Sequence, residues 1–344
     1  MKVTVQGTSG ELAFDCGRGE SVLFAGLRQG ISLPFECATG TCGTCRARVI
    51  SGEVDVRWEQ APGAARLKAD KGDILMCQTR VRSDCVLRVP SMFPPKDGAR
   101  PGPRRAIIGG LRRLTKDVAH FDLKLLSPMS FEAGQFVVIE AAGISGGRAY
   151  SMVNFARDCE RVELVIKRKP GGRFGDWLFD QFREDAQVDV FGPLGRAIFR
   201  PEEGRSLMCV AGGSGIAGMM AILDRALQED YFRGHAGTVY FGVRTLRDAF
   251  YLERLSAYVA ASHGNLDVAI AVSDEGAATA RHAEFPVLRL ESGMVHEVTG
   301  REMALRKGDV LAYVAGPPVM VEATIRTLVT AGLASKNIRY DKFS

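Results

Sequence analysis

The chain has 344 residues, of which 46% are hydrophobic and 25% are charged, and its formal net charge is +5. This composition excludes a mainly disordered chain and, at the usual domain size, predicts two or three domains with substantial cores. The largest local excess of basic residues, at Lys96, Arg100, Arg104 and Arg105, lies in a stretch rich in Pro and Gly. We therefore expect no nucleic-acid-binding surface.

The chain begins MKVTVQGTSGELAF, which indicates a strand and lacks the long apolar segment of a signal peptide. Because no run of about 18 apolar residues occurs, we also expect no transmembrane helix and no membrane partner. We predict a cytoplasmic location, where the eight cysteines would be free thiols or metal ligands rather than disulfides.

Residues 1–92 alternate apolar and polar side chains over short runs and contain six of the eight cysteines. This pattern predicts a small β-rich domain with one helix near residues 21–29. The stretch SMFPPKDGARPGPRR follows, with four Pro and two Gly. These residues disfavour a helix or an internal strand, so we predict a linker at 93–104.

Residues 105–200 contain the strand patterns FDLKLL, QFVVIEA, RVELVIKR and AQVDVFG, separated by Gly and Pro. Short strands at this spacing predict an antiparallel barrel. From 201 to 344 the apolar runs SLMCVA, TVYFGV, LDVAIAV and LAYVA alternate with helical stretches, among them 246–263 and a helix from Val319. Alternating strands and helices predict a parallel sheet.

Four cysteines have the spacing of iron–sulfur ligands. Cys37, Cys42 and Cys45 lie within nine residues, and Cys77 follows after 31 intervening residues. This is the C-x4-C-x2-C…C spacing of plant-type [2Fe–2S] proteins, and thiolates are the soft ligands that such clusters take. A structural zinc site is the alternative, but its ligands usually come as paired C-x2–4-C units. PFECATGTCGTCRARVISGEV, with MCQTR around Cys77, resembles the plant-type ferredoxin family, and the resemblance covers residues 1–92.

Two strings in the middle segment suit a flavin. In Arg148-Ala-Tyr150-Ser151, an Arg can neutralise a pyrophosphate, a Tyr can stack on a ring and a Ser can bond a ring nitrogen. KRKPGGRF, from Lys167 to Phe174, precedes a helical pattern at 176–182 and can offer N–H groups to phosphates; a hairpin turn is its alternative reading.

In this order the two strings resemble the ferredoxin–NADP reductase superfamily, which implies an FAD-binding antiparallel barrel of six strands. The resemblance implies flavin contacts at Arg148, Tyr150, Ser151, Lys167, Gly172, Arg173, Phe174 and Phe343. Ser151 is also the candidate for positioning the flavin. Gly175 stands where the superfamily has Ser or Thr, so that hydroxyl is missing, and Phe343 could equally be an ordinary packing residue.

AGGSGIAG fits the dinucleotide pattern G-x-G-x-x-G between a predicted strand and helix. The acidic residue expected at the end of the next strand is absent, because that strand ends in YFGVR. With AGPPVM near the C-terminus, these strings resemble the superfamily's nicotinamide-binding half. The implied NAD contacts are Gly212, Gly213, Ser214, Gly215, Ile216, Arg244, Gly316, Pro317, Pro318 and Met320. Gly218 replaces the usual Pro, and Ala315 replaces a Cys.

The expected architecture is multidomain α+β and α/β, with a β-grasp ferredoxin at 1–92, an FAD-binding barrel at 105–200 and a Rossmann-like NAD-binding domain at 201–344. The whole chain resembles the reductase components of bacterial multicomponent oxygenases, such as toluene and xylene monooxygenases and naphthalene dioxygenase. The resemblance implies electron transfer from NADH through FAD and the [2Fe–2S] cluster to an oxygenase component or a Rieske ferredoxin. Arg244 and Arg247 could instead contact the 2′-phosphate of NADPH.

The identity of the acceptor stays open at this point. One alternative is a reductase that feeds a pyridoxamine-dependent dehydrase in deoxysugar biosynthesis, and another is a non-catalytic iron–sulfur redox sensor. We expect a monomer whose acceptor docks around the cluster, with Glu36, Arg46 and Arg48 as candidate docking residues; plain solvated charge is their alternative role.

Overall fold

The computed structural model describes residues 1–8, 10–90, 100–181, 184–274, 280–303 and 309–343. These residues form three units in chain order, each built on its own sheet. No helix in these ranges is long and apolar enough to cross a membrane.

The N-terminal unit is a mixed sheet that carries one helix. Its five-stranded sheet has the order β2-β1-β7-β3-β5, with β1 and β7 parallel and the other neighbours antiparallel, and β4 pairs with β6 separately. The elements are β1 (Lys2–Gly7), β2 (Gly10–Asp15), α1 (Val22–Arg28), β3 (Arg46–Ser51), β4 (Val54–Val56), β5 (Asp73–Leu75), β6 (Thr79–Val81) and β7 (Cys85–Arg88).

The helix predicted near 21–29 is therefore confirmed as α1. The Ser21 hydroxyl caps it by accepting the Phe24 N–H at 3.3 Å. Val22, Leu23 and Ala25 are buried against the sheet, where Val3 and Val5 supply the inner face of β1. Alternation along β1 and the apolar face of α1 thus build one small core.

The middle unit is an antiparallel barrel of six strands. The sheet order is β11-β10-β13-β8-β9-β12. Its elements are β8 (Gly102–Arg113), β9 (Val118–Met129), β10 (Phe136–Ala141), β11 (Arg148–Ser151), β12 (Cys159–Lys167), the short helix α2 (Arg173–Asp176) and β13 (Gln187–Leu194). A bridge between Met152 and Leu164, with the Val153 N–H donating to the Glu163 carbonyl at 2.9 Å, joins the two outer strands and closes the barrel.

Two local predictions for this unit need correction. β8 begins at Gly102, inside the segment predicted as a linker, and Pro103 pairs with Phe191 of β13. Residues 93–99 of that segment lie outside the described residues. The helix predicted at 176–182 begins earlier, as α2, and continues as a π-helical turn at Trp177–Gln181; Phe182 is not among the described residues.

The C-terminal unit is a seven-stranded sheet of order β17-β18-β16-β15-β14-β19-β20, parallel except for β17. Its elements are β14 (Ser206–Gly212), α3 (Ile216–Gln228), β15 (Gly237–Val243), α4 (Leu252–Ala261), β16 (Leu266–Val272), β17 (Ala280–Arg281), β18 (Arg289–Ser292), α5 (Val295–Met303), β19 (Val310–Gly316), α6 (Pro318–Thr330) and β20 (Ile338–Lys342). The chain runs outward from β14 to β15 on one side, while β19 lies on the other. The carboxyl ends of β14 and β19 therefore form a topological switch point.

The three units pack on one another through apolar side chains. The core of the barrel is continuous with the core between the parallel sheet and α3. Phe136, Val138, Phe191 and Leu194 of the barrel join the core of the N-terminal unit. There the rings of Phe24 and Phe191 stack at 4.1 Å with 9° between their planes.

Candidate functional site

One open cavity of about 1270 Å³ lies where the three units meet. That volume exceeds what a single drug-sized ligand needs and suits a dinucleotide. Ten basic side chains and three acidic ones line it, so the cavity favours anionic ligands such as pyrophosphates. The N-terminal unit contributes residues from the cysteine loop, the barrel contributes β11 and the 167–175 segment, and the parallel sheet contributes Ser214, Arg244, Pro317 and β20.

The cysteine loop turns tightly because three of its residues have positive φ angles, a backbone region that favours glycine. Gly40 and Gly43 have φ angles of +94° and +82°, and Ala38 has a φ of 58°. Gly63 packs directly on this loop: its N–H donates to the Gly40 carbonyl at 2.9 Å, and a Cβ there would lie 2.5 Å from the Gly43 nitrogen. The short turn Pro62–Arg66 thus covers the loop.

The four cysteine sulfurs form two pairs. Cys45 and Cys77 are buried with their Sγ atoms 3.2 Å apart, too far for a disulfide bond. In the other pair, the Cys42 N–H donates to the Cys37 Sγ at 3.4 Å, and the Thr39 N–H donates to the same sulfur at 3.4 Å. Such N–H groups stabilise sulfur-borne negative charge.

Each pair favours the thiolate on one of its members. The hydrogen bond from the Cys42 thiol lowers the pKa of Cys37 to about 4, and the bond between Cys45 and Cys77 lowers the pKa of Cys45. The same bonds, together with burial, raise the pKa of Cys42 and of Cys77. Thiolate is the form that binds iron.

This arrangement fits a [2Fe–2S] cluster, whose two irons share four thiolates. Two sulfur pairs in a loop of inward N–H groups therefore favour the iron–sulfur cluster over the zinc alternative. Of the four cysteines, Cys37 lines the cavity between the units.

All eight residues predicted to contact FAD line the cavity. β11 places Tyr150 and Ser151 on its wall, where Ser151 is 5% exposed. Within the described parts of the chain, no hydrogen bond uses the Ser151 hydroxyl, so it is available to a ligand. Burial raises the pKa of the Tyr150 hydroxyl, so this side chain stays neutral.

An aromatic cluster supports the wall behind Tyr150. Its ring lies 5.8 Å from Phe174 and 5.9 Å from Phe121, with nearly perpendicular planes in the second contact. Phe174 is fully buried and also contacts Trp177 at 5.5 Å. These contacts fix the rings, so Phe174 acts as a support for Tyr150 in the wall.

The positive charge of the cavity comes largely from the barrel. The Arg148 guanidinium donates to the Gly146 carbonyl at 2.5 Å, and Arg173 donates to the Ser145 hydroxyl. Lys167 lies 3.4 Å from Asp117. Gly172 caps the N-terminus of α2, whose helix is only four residues long, so side-chain charges carry most of the attraction for a pyrophosphate.

The last strand brings the C-terminus to the same cavity. The Phe343 N–H donates to the Gly316 carbonyl at 2.9 Å, which holds its ring beside the flavin-site residues. Two residues earlier, Asp341 also lines the cavity, and burial followed by the charge of Glu36 raises its pKa to about 7. Sequence reasoning missed Asp341; its place two residues before Phe343, a predicted flavin contact, was the available signal.

The predicted NAD residues gather at the switch point between β14 and β19. Ser214 and Pro317 line the cavity directly. Gly212, Gly213, Gly215, Ile216, Gly316, Pro318 and Met320 lie behind them on the two loops and the starts of α3 and α6. The glycines are needed for packing: a Cβ on Gly212 or Gly316 would meet the Met320 Cε within 2.8 Å. Met320 thus supports the loops.

Arg244 is held by an acidic residue that sequence reasoning missed. Its Nε donates to the Asp274 Oδ2 at 2.9 Å, and the Asp274 N–H donates to the Arg244 carbonyl at 2.8 Å. A Ser273 hydrogen bond and then Arg244 lower the pKa of Asp274. An acidic residue is therefore present at this edge, supplied by the end of β16 rather than the end of β15. The available signal was that adjacent parallel strands end at the same edge of a sheet, so an acidic residue after β16 can lie beside the end of β15.

Comparison with protein families matches three models along the chain: a 2Fe-2S iron-sulfur cluster binding domain at residues 3–82, an oxidoreductase FAD-binding domain at 108–199 and an oxidoreductase NAD-binding domain at 209–326. A ferredoxin–NAD(P)(+) reductase, CarAd, from Metapseudomonas resinovorans is 32% identical over 97% of this chain and 98% of its own length. The ferredoxin–NAD(+) reductase component of an alkene monooxygenase system from Xanthobacter autotrophicus is 35% identical over 96% and 98%.

Among solved structures, the ferredoxin reductase in carbazole 1,9a-dioxygenase superposes with a TM-score of 0.84 at 30% identity. The superposition covers 100% of this chain and 99% of that one. The expected architecture of a 2Fe–2S unit, an FAD-binding barrel and a parallel-sheet NAD-binding unit is therefore confirmed.

Proposed function

This chain belongs to the family of ferredoxin–NAD(P)+ reductases that join a 2Fe–2S domain to FAD- and NAD-binding oxidoreductase domains, and from that premise we propose that it carries electrons from NADH to an oxygenase system. The observation that supports this best is the cavity that residues of all three units line together. Bound there, FAD would take a hydride from NADH and release single electrons to a one-electron iron–sulfur cluster. The chain's own residues supply binding, orientation and charge.

The proposed flavin site uses the barrel wall. Arg148, Arg173 and Lys167 would neutralise the pyrophosphate, and the Ser151 hydroxyl would hold the ring. The proposed cluster ligands are Cys37, Cys42, Cys45 and Cys77, with Cys37 on the cavity side. Because Ser214 and Pro317 line the same cavity, the nicotinamide would reach the flavin from the switch point of the parallel sheet.

We propose NADH rather than NADPH as the donor because of Asp274. Its carboxylate pairs with Arg244, one of the two arginines that could otherwise attract a 2′-phosphate. An acidic residue can also accept a hydrogen bond from the 2′-hydroxyl of NADH. Asp274→Ala should lower the preference for NADH, as a ratio of kcat/KM values, by about tenfold. Asp55→Ala is the matched control, since it breaks another exposed Asp–Arg pair, with Arg82, in the N-terminal unit. An unchanged NADH preference in Asp274→Ala would refute the assignment.

We propose that the acceptor is an oxygenase component or its ferredoxin. The relatives described above are named for carbazole dioxygenase and alkene monooxygenase systems, and they give no support to the deoxysugar or sensor alternatives. The deciding experiment is reconstitution: purified chain with FAD and assembled cluster, NADH, and oxygenase components of both classes. We expect NADH to bleach both chromophores and to support turnover with one class. Failure to reduce any one-electron acceptor would overturn the proposal.

Two further properties belong to this proposal. We propose that the chain acts as a monomer, since residues for all three groups come from one polypeptide, and light scattering after gel filtration tests this. We propose a reducing compartment, the cytoplasm, because all eight cysteines are free thiols in the structure. Fractionation of cells that express the chain tests the location.

A further inference from the structure

The two cysteine pairs face different surroundings. Cys37, Thr39 and Thr44 line the cavity that adjoins the flavin-site residues. Cys45 and Cys77 are buried and do not line the cavity themselves, although their chain neighbours Thr44 and Gln78 do. A carrier held by these cysteines would receive electrons at the cavity. An acceptor outside the chain would have to approach it from an exposed surface that does not line the cavity, such as the surface that begins at Arg46.

A basic surface begins directly at Cys45. Arg46 follows it in the chain and pairs across the sheet with Leu75, two residues before Cys77. Ala47 points into the core, so the alternation of β3 sends Arg46 and Arg48 to the outer face. We call this surface the basic patch. It comprises Arg46, Arg48, Arg66, Lys68 and Arg88.

Asp73 anchors one part of the patch. Arg48 lies 2.8 Å from this buried carboxylate, and the Lys68 N–H donates to it at 3.2 Å. Hydrogen bonds from Arg48 and Lys68 lower the pKa of Asp73 against the effect of burial, and the charge of Arg46 contributes. Arg88 lies directly across from Arg48 on β7. Asp73 thus fixes the Arg48 side chain and the Lys68 backbone beside the strand that carries Arg46.

The net charge of the patch is positive. Asp73 offsets a single cation, and the exposed neighbours Asp70 and Lys71 offset each other. Arg46, Arg66, Lys68 and Arg88 are exposed, and none of the five cations lines the cavity between the units. Arg66 lies at the end of the turn Pro62–Arg66, whose Gly63 packs on the cysteine loop, so the cations surround the loop from two directions.

Glu36, which was also predicted as a docking residue, lies at the cavity and not on the basic patch. It lines the cavity, and its Oε1 accepts the Tyr340 hydroxyl at 3.4 Å. Glu36 therefore faces another part of this chain, whereas Arg46, Lys68 and Arg88 are exposed among the residues that the structure describes.

We propose that the basic patch docks the electron acceptor, and that the acceptor presents an acidic surface around its redox centre. This rests on the proposed reductase function. In each transfer one electron would pass from the bound cluster to the acceptor, so the cluster would be oxidised and the acceptor reduced by one electron. Charge complementarity of this kind raises the rate of productive encounter and makes it sensitive to salt.

Two heme proteins of opposite surface charge serve as probes: acidic cytochrome b5 and basic cytochrome c. The test variant is Arg46→Glu with Lys68→Glu, and its matched control is Arg326→Glu with Lys336→Glu, two exposed cations of the NAD-binding unit. Both variants change the net charge equally. Reoxidation of the cluster is followed through its paramagnetic resonance signal after rapid freezing.

At an ionic strength of about 20 mM, the test variant should lose about tenfold in its rate with cytochrome b5 and gain with cytochrome c. The difference should vanish at about 0.5 M salt, where the charges are screened. Calorimetric titration with oxidised cytochrome b5 should show a weaker dissociation constant by a similar factor. Arg46→Gln with Lys68→Gln should give an intermediate loss, and the control variant should match the wild type.

Equal effects of the test and control variants, or no effect of the test variant on either probe, would overturn the docking proposal. The reduction of the flavin by NADH, measured without an acceptor, separates this outcome from failure of the reductase function. If that step is intact while the probes are insensitive to the patch, the docking site is wrong. If that step is absent in the wild type, the proposed function is wrong.

Discussion

Replacing Gly215 by alanine tests why the nicotinamide loop carries glycine. A Cβ at this position would lie 2.2 Å from the carbonyl oxygen and 2.6 Å from the carbonyl carbon of Ala315. This is more than about 1 Å inside normal van der Waals contact, and both partners are backbone atoms of β19. The loop after β14 and the end of β19 must therefore separate. Overpacking of this kind costs about 1–3 kcal/mol, and it displaces the groups that would bind NADH.

We expect Gly215→Ala to lower the thermal midpoint by several degrees and to raise the KM for NADH by about tenfold. Gly218→Ala is the matched control within the same glycine motif. Its Cβ would meet Ser151 Cβ at 3.5 Å, an ordinary contact, and alanine favours the helix α3 by up to about 1 kcal/mol. Calorimetry and steady-state kinetics on the pair decide the matter. A Gly215→Ala protein with wild-type stability and KM, or equal damage from Gly218→Ala, would refute the packing argument.

Three other predictions follow from single contacts. Because burial, and then Glu36, raises the pKa of Asp341 above its value in the unfolded chain, the folded state favours its protonated form and loses stability as the pH rises from about 4 to about 7. Between pH 6 and pH 8, the free energy of unfolding of Asp341→Asn should rise by about 1.4 kcal/mol relative to that of the wild type, measured by urea unfolding. The same pH dependence in both proteins would contradict this. A side chain fits at Gly175, because a Cβ there would have its nearest contact at 3.7 Å. The hydroxyl of Gly175→Ser should add a hydrogen bond to the pyrophosphate and lower the dissociation constant for FAD about fivefold in fluorescence titration. Weaker binding would contradict the proposed place of the pyrophosphate. Arg254→Leu breaks ion pairs with Glu163 at 3.0 Å and Asp224 at 2.7 Å, so it should lower the free energy of unfolding by about 3 kcal/mol. Arg254→Lys should have a stability between those of the wild type and Arg254→Leu. An Arg254→Leu protein as stable as the wild type would contradict this.

The strands that sequence predicted best are those buried on both faces. β14, β16 and β19 are nearly continuous apolar runs, and such runs leave little choice of structure. The short polar strand β18 and the helix α5 were not predicted, since Arg289–Ser292 and Val295–Met303 carry few apolar residues. Their place comes from packing beside β16 rather than from local preference.

The linker prediction was wrong at its C-terminal end, where residues 102–104 belong to β8, and the reason is how β8 pairs with its neighbouring strands. Pro103 lacks an N–H, which normally excludes it from an internal strand. β8 meets β9 only from Ala106 onward, so residues 102–105 have a single neighbour, β13, and behave as an edge. Asp274 and Asp341 were missed for a related reason. Their importance depends on which strands are neighbours, and one sequence does not reveal that order.

The packing of the N-terminal unit connects the fold to the docking proposal. Four apolar barrel residues, Phe136, Val138, Phe191 and Leu194, belong to its core. The Phe24–Phe191 stack and the Arg57–Glu140 pair at 3.5 Å fix its orientation. Separating the units would expose this apolar surface to water, which is unfavourable at roughly 25 cal/mol per Å². The unit therefore stays on the barrel while the acceptor comes and goes. An acceptor would then approach an exposed face that does not line the cavity. Among the residues that the structure describes, the proposed basic patch, which begins at Arg46 beside Cys45, is such a face.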